Sequence, residues 1–218
     1  MVGEVGCSCD TQVKSVATMV PPDAAMRVRT RKSHPWVSRG GLKLEHSVAT
    51  WGLDFKGVTA IDVGCSTGGF TDVLLHHGAK RVFAVDVGYG LLDYRLRKDP
   101  RVCVRERVNA RLVNASLVAL LPGEADGTDA DTSLTGGVED VDIDVVVCDA
   151  SFISLRQVLP PSLDLCRSGG RVVALVKPQF EAARDQIEEG GVVRDAAVRE
   201  AILRDAHKWL DSLPGWSV

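Results

Sequence analysis

No apolar run in this 218-residue chain approaches the roughly 18 residues that a membrane-spanning helix needs, which argues against a helical membrane protein. The first residues carry no apolar core of the kind that marks a secretory leader. Cysteine lacks a metal-binding pattern: of six, only Cys7 and Cys9 stand close together, and no second pair completes a zinc site. Reduced thiols are expected, with no metal and a cytoplasmic location, or an organellar one in a eukaryote. The chain also lacks the basic excess of a typical nucleic-acid binder, with a formal net charge of −3. Its 45% hydrophobic content and a mean hydropathy near zero suit a soluble globular protein. The length has room for one α/β domain and a short tail, expected as a monomer.

The missing positive charge is a local matter. Between Pro122 and Asp144 stand eight acids (Glu124, Asp126, Asp129, Asp131, Glu139, Asp140, Asp142 and Asp144) and no Lys or Arg. Without them the balance turns positive, and Arg27, Arg29, Arg31, Lys32, Arg39 and Lys43 cluster upstream. Such asymmetry allows an anionic partner at one edge, although a solvated basic arm accounts for the charge equally well.

The centre of the chain is Thr59 to Phe70, T-A-I-D-V-G-C-S-T-G-G-F. An apolar run with Asp62 near its end breaks into a loop containing Gly64, Ser66, Thr67, Gly68 and Gly69, and Phe70 opens a helical pattern. Strand, glycine turn and helix form a nucleotide-binding crossover, where backbone N–H groups can approach a ligand closely. The spacing G-x-x-x-G-G is not the dinucleotide fingerprint G-x-G-x-x-G. An acid two residues before the first glycine suits a cationic amino acid head, as in S-adenosylmethionine, better than a pyrophosphate. A tight turn without a ligand is the plain alternative. Arg81 to Val85 reads as the next strand and ends in Asp86, with Val87 after it. An acid at that point is placed to take ribose hydroxyls. Asn109 lies beyond a third strand, Val102 to Val104, where an adenine would rest.

Residues 1–33 show no sustained period, and Pro21-Pro22-Asp23 breaks whatever precedes it, so an irregular arm is expected. A methyl-donor type of domain would then occupy 34–218. It opens with a helix whose buried side should carry Leu42, Leu44 and Val48. Lys43 lies in its first turn, against the helix dipole, and by itself reads as solvated. Leu91–Arg97 and Ala110–Leu121 read as helices, and 122–140 as a solvent-exposed acidic insertion. Val141–Cys148 is a buried strand delivering Asp149, and Arg171–Val176 a fifth strand delivering Lys177. Ser154 and Asp195 should cap helices, and Trp216–Val218 reads as the opening of a sixth strand. This alternation predicts an open, mostly parallel, Rossmann-like sheet with helices on both faces. Ligands of such sheets bind at the carboxyl ends of the strands, where Asp62, Asp86, Asp149 and Lys177 converge.

Asp149 and Lys177 at adjacent strand mouths can be a simple salt bridge. Beside a methyl donor they can do more, because transfer to a hydroxyl needs its oxygen aligned and its proton removed.

Five motifs in order, S-R-G-G-L-K-L-E (38–45), D-V-G-C-S-T-G-G-F-T-D (62–72), A-V-D-V-G-Y-G (84–90), D-A-S-F-I-S (149–154) and V-K-P-Q-F-E (176–181), resemble the TlyA-type, haemolysin-annotated, FtsJ-like ribosomal RNA methyltransferases. The resemblance implies a Rossmann-type enzyme that uses S-adenosylmethionine to methylate ribose 2′-hydroxyls of rRNA on ribosomal subunits. It also implies a Lys-Asp-Lys-Glu tetrad, of which Lys43, Asp149 and Lys177 match the first three members. Lys43 then has a role beyond solvation. Two departures follow. The segment before Trp36 is too short for the family's N-terminal RNA-binding domain. The final hairpin that carries the tetrad Glu is also expected to be missing, since Glu181 belongs to an earlier motif. A non-catalytic cofactor- or rRNA-binding protein is therefore the competing reading. A membrane-active haemolysin, suggested by the family label, has no apolar segment behind it.

Overall fold

The computed structural model describes residues 3–5, 11–13, 19–21, 24, 26–28, 34–119 and 142–218. The acidic insertion at 122–140 and most of the arm at 1–33 fall outside those residues. Contacts divide the chain into two units, 1–35 and 36–218. Within the first, three short strands are described: β1 (Gly3–Val5), β2 (Thr11–Val13) and β3 (Met26–Val28). They pair antiparallel with β1 in the middle. No periodicity announces them in the sequence.

The second unit begins with α1 (Gly40–Trp51), then β4 (Thr59–Val63), α2 (Gly69–His76) and β5 (Arg81–Val85). Next come α3 (Tyr94–Arg97), β6 (Val102–Arg105), α4 (Ala115–Ala119) and β7 (Ile143–Cys148). The chain continues through α5 (Leu155–Val158), α6 (Pro160–Leu163), β8 (Cys166–Ala174), α7 (Pro178–Glu181) and α8 (Ala196–Asp211). The five strands β4–β8 are all parallel, in the order β6-β5-β4-β7-β8.

Both faces of this sheet are covered, and alternate residues of each strand supply two cores. Ala60, Val82, Ala84, Val145 and Val147 face α1 and α2 through Leu44, Phe70, Val73 and Leu74. Ile61, Val63, Phe83, Val85, Val146 and Cys148 face the other side, toward Leu155, Val158, Leu159 and Leu163 of α5 and α6. Two-sided burial is why these strands read as nearly continuous apolar runs.

Several expected boundaries move. Leu42 is 45% exposed, because a helical residue lies roughly 200° from one two positions on, and Leu44 is the one turned inward. The helix expected at 91–97 is only α3, started by Asp93 accepting from the Arg95 amide at 2.9 Å. The run from Ala110 splits into a 3₁₀ turn at Ala110–Leu112 and then α4, as Asn109 accepts from the Arg111 amide. The Pro160-Pro161 pair divides the following helix into α5 and α6. The strand expected at Arg171 starts earlier, at Cys166, past an irregular register between Ile143 and Val145. Residues 216–218 form no strand, and Trp216 instead packs against the second core. Ser154 and Asp195 do cap α5 and α8.

Candidate active site

The carboxyl ends of β4, β5, β7 and β8 meet at one edge of the sheet, and a cleft of about 540 Å³ opens there. Its floor is Asp62, fully buried on β4. One oxygen, Oδ2, accepts from the Thr71 amide at 2.9 Å and the Thr71 hydroxyl at 2.7 Å. The other, Oδ1, has no hydrogen-bond partner among the described residues. Burial raises this carboxyl to about 7, against the Thr71 bonds, which pull it down; Asp149 and Asp86 add repulsion.

The glycine loop follows. Gly64 adopts φ of 76°, and a Cβ there would stand 2.8 Å from Ala150 Cα, so the loop passes directly under the β7 terminus. At Gly69 a Cβ would meet Ser38 Oγ at 2.5 Å and the Gly41 amide at 2.7 Å. That contact seats the start of α1 on the start of α2, and Val37 adds a bond to Asp72 Oδ2 at 2.8 Å.

This seating carries Lys43 into the site. Its Nζ donates to Asp149 Oδ2 at 2.7 Å. From β8, Lys177 Nζ donates to the Asp149 carbonyl at 2.9 Å and Ser151 Oγ at 2.8 Å, and lies 2.8 Å from Asp149 Oδ1. Asp149 is thus held between two lysines, one for each oxygen. Two of the ammonium donors of Lys177 are used in hydrogen bonds, and Asp149 Oδ1 pairs with it by charge alone.

Of the residues expected to hold a cofactor, Asp62, Gly64, Ser66, Thr67, Gly69 and Phe70 line the cleft with the two lysines and Asp149. Gly68, Asp86, Val87 and Asn109 are not among its lining residues. Asp86 ties the loop together, taking the Ser66 amide on Oδ2 and the Gly88 amide on Oδ1, both at 2.7 Å. Val87 is 74% exposed. Asn109 uses its side chain as a local cap. Ser38, Arg39, Cys65 and Ser151 also line the cleft. The positions of Ser151 within D-A-S and of Ser38 and Arg39 within S-R-G-G were the available signals.

Glu181 stands apart. Its carboxylate accepts from Ser154 Oγ at 2.6 Å and the Leu155 amide at 2.7 Å, fastening α7 to the start of α5. Next to Ser151 in sequence, Phe152 is 91% exposed, has φ of 65°, and sits 5.2 Å from the Phe180 ring.

A profile of the FtsJ-like methyltransferases matches residues 36–215, most of the chain. The chain belongs to the FtsJ-like methyltransferase family. It is 42% identical over 183 residues to the 16S/23S rRNA (cytidine-2′-O)-methyltransferase TlyA of Mycobacterium tuberculosis, covering 84% of this chain and 60% of that protein. It is 39% identical over 171 residues to Hemolysin A of Brachyspira hyodysenteriae, covering 78% of this chain and 63% of that one. A solved haemolysin-named structure from Streptococcus thermophilus superposes with a TM-score of 0.68 at 39% identity, covering 86% of this chain and 61% of the other. The chain therefore spans less than two thirds of the length of these relatives. Among the described residues of this FtsJ-like chain, no helix is long and apolar enough to cross a membrane.

Proposed function

We propose that this chain is an S-adenosylmethionine-dependent methyltransferase acting on ribose 2′-hydroxyls of ribosomal RNA. The observation that carries the reading is Asp149 held between Lys43 and Lys177, at 2.7 and 2.8 Å, beside the glycine loop. The cleft fits the donor in kind: an unpartnered buried carboxylate oxygen for a cation, and a loop whose glycines leave room for close approach. Asp62, Gly64, Ser66, Thr67, Gly69 and Phe70 would hold it, with Asp86 fixing the loop and Gly68, Val87 and Asn109 around the adenosine end. When bound, S-adenosylmethionine supplies an activated methyl group.

The chain's own residues do the rest. Lys177 takes the proton of the acceptor hydroxyl. Its Nζ already meets one hydroxyl oxygen, Ser151 Oγ, at 2.8 Å; it donates there as an ammonium, and takes a proton only in its neutral form. Asp149 fixes the amine's direction, and Pro178 restricts Lys177 to extended backbone. Lys43 completes the charge balance around Asp149. The exposed Phe152–Phe180 pair offers a face on which an unstacked base can rest. The substrate would be met on a ribosomal subunit, in the cytoplasm.

Glu181 favours a second reading. Because its carboxylate is engaged in capping α5, it does not supply a fourth catalytic acid, and a protein that binds the cofactor or rRNA without efficient turnover is the competitor. A tritiated methyl-transfer assay on isolated ribosomal subunits separates the two. Label on rRNA that disappears in Lys177→Ala supports the enzyme; S-adenosylmethionine binding without label on either subunit supports the binding protein.

A further inference from the structure

Lys177 Nζ makes two hydrogen bonds to the chain, to the Asp149 carbonyl at 2.9 Å and to Ser151 Oγ at 2.8 Å. Asp149 Oδ1 stands 2.8 Å away but accepts no hydrogen bond, so it occupies none of the nitrogen's bonding directions. A lysine nitrogen has three such directions beyond its own carbon. Two are committed to the chain, and one is open. Ser151 and Lys177 both line the cleft. The turn that presents Ser151 is fixed on both sides. Before it, a Cβ on Gly64 would stand 2.8 Å from Ala150 Cα, so the glycine loop closes against the chain there. After it, Phe152 has φ of 65°, a conformation costly for any residue with a side chain and kept only where the surroundings impose it. Ser151 itself is exposed, and an exposed hydroxyl exchanges such a bond for one to water at little cost in stability.

Resting on the proposed role of Lys177 as the base, we infer that Ser151 is a positioning residue. By accepting one N–H of Lys177 it leaves the third direction, the lone pair of the neutral amine, to the acceptor hydroxyl. A neutral amine keeps two N–H groups and one lone pair. The Asp149 carbonyl can only accept, so it takes one N–H. Ser151 decides where the other goes. With its oxygen in place, one arrangement satisfies both N–H groups, and the lone pair then points away from both. Without it, rotation about the terminal C–N bond exchanges the lone pair with an N–H, and the base is aimed for only part of the time. The transfer itself is unaltered. The acceptor O–H breaks, its proton goes to this lone pair, the oxygen bonds to the methyl carbon, and the electrons of the S–CH₃ bond stay with sulfur.

The test compares the full chain with its Ser151→Ala and Ser151→Thr variants. Single-turnover methylation at saturating S-adenosylmethionine, over a range of ribosomal subunit concentrations, separates rate from affinity. Ser151→Ala should lower the saturated rate about tenfold, the worth of one hydrogen bond. Half-saturation by subunits, cofactor affinity and melting temperature should stay as in the wild type. Ser151→Thr keeps the hydroxyl and should restore most of the rate. A second readout needs no turnover: acetic anhydride labelling of amines, followed by peptide mass spectrometry. Freed of one hydrogen bond, Lys177 should be labelled several-fold faster in Ser151→Ala and at the wild-type rate in Ser151→Thr, with Lys43 unchanged in both. A wild-type saturated rate in Ser151→Ala, or a rate loss that merely tracks a lower melting temperature, overturns the inference while leaving the methyltransferase reading intact. So does a raised half-saturating subunit concentration at unchanged rate, which would place Ser151 against the RNA instead. Absence of label on either subunit with the wild-type chain overturns both.

Discussion

Thr71 grips Asp62 twice, with its amide at 2.9 Å and its hydroxyl at 2.7 Å on the same oxygen. The pair joins the first turn of α2 to the end of β4 and fixes the glycine loop between them. It does so with a fully buried carboxyl that is costly to ionise.

That cost has a sign in pH. The folded chain holds the Asp62 carboxyl near 7 against an ordinary 3.8, so between those values it keeps a proton that the unfolded chain has lost. Stability therefore falls as pH rises through this window, by up to ~4 kcal/mol once ionisation is complete. Asp62→Asn should be progressively more stable relative to the wild type from pH 5 to pH 8 in denaturant melts of the ligand-free protein. A constant difference across that range would show that the carboxyl titrates normally.

Lys43→Ala, Asp149→Ala and Lys177→Ala should each abolish detectable methyl transfer while leaving cofactor affinity within a few fold. Lys177 should matter most, since loss of a general base typically costs ~10²–10⁴-fold. Single-turnover methylation of ribosomal subunits beside calorimetry checks both halves. Wild-type rates in Lys177→Ala would remove it from the mechanism.

Glu181→Ala should behave differently. It deletes the acceptor of the Leu155 amide and the Ser154 hydroxyl, a capping loss of about 1 kcal/mol. The expected outcome is a lower melting temperature with methyl transfer retained. A large rate loss at unchanged stability would instead place this acid in the chemistry.

Gly64→Ala should fail at the cofactor step. Its φ of 76° and the 2.8 Å approach to Ala150 Cα leave no place for a methyl group, so the loop must shift away from β7. Weakened S-adenosylmethionine binding is expected even if the rest of the domain folds, and titration of a folded variant with native affinity would count against it.

Phe152→Ala should lower methylation of ribosomal subunits without altering cofactor affinity, since the exposed ring follows Ser151 of the cleft in sequence and contacts Phe180. Alanine keeps the Cβ that makes the positive φ costly, so stability should change little, whereas Phe152→Gly should raise it. Methyl transfer to ribosomal subunits, calorimetry with the cofactor and a thermal melt measure these effects.

Much of this arrangement is written locally. The strands from Thr59, Arg81, Val102 and Ile143 are recognisable because sheet residues buried on both faces must be apolar at successive positions. The glycine loop is readable because a sharp turn into a helix has few alternatives to glycine. Asp149 and Lys177 could be placed near one another because parallel strands deliver their carboxyl ends to the same edge. Helix boundaries were poorer, as with Leu42, where two leucines two positions apart cannot both face inward.

Partnership was decided by the tertiary structure. Lys43 reaches Asp149 across 106 residues of sequence only because the start of α1 seats on the start of α2. Asp86 takes two amides of its own neighbourhood, one on each oxygen, which the sequence does not reveal. Glu181, set aside from the tetrad in the sequence, caps α5. Asp62 acquires its open oxygen and raised carboxyl from complete burial beneath α2. Periodicity records which face of an element is buried. It carries no information on which side chain of another element lies opposite; that depends on the strand order β6-β5-β4-β7-β8 and on how closely the helices approach it.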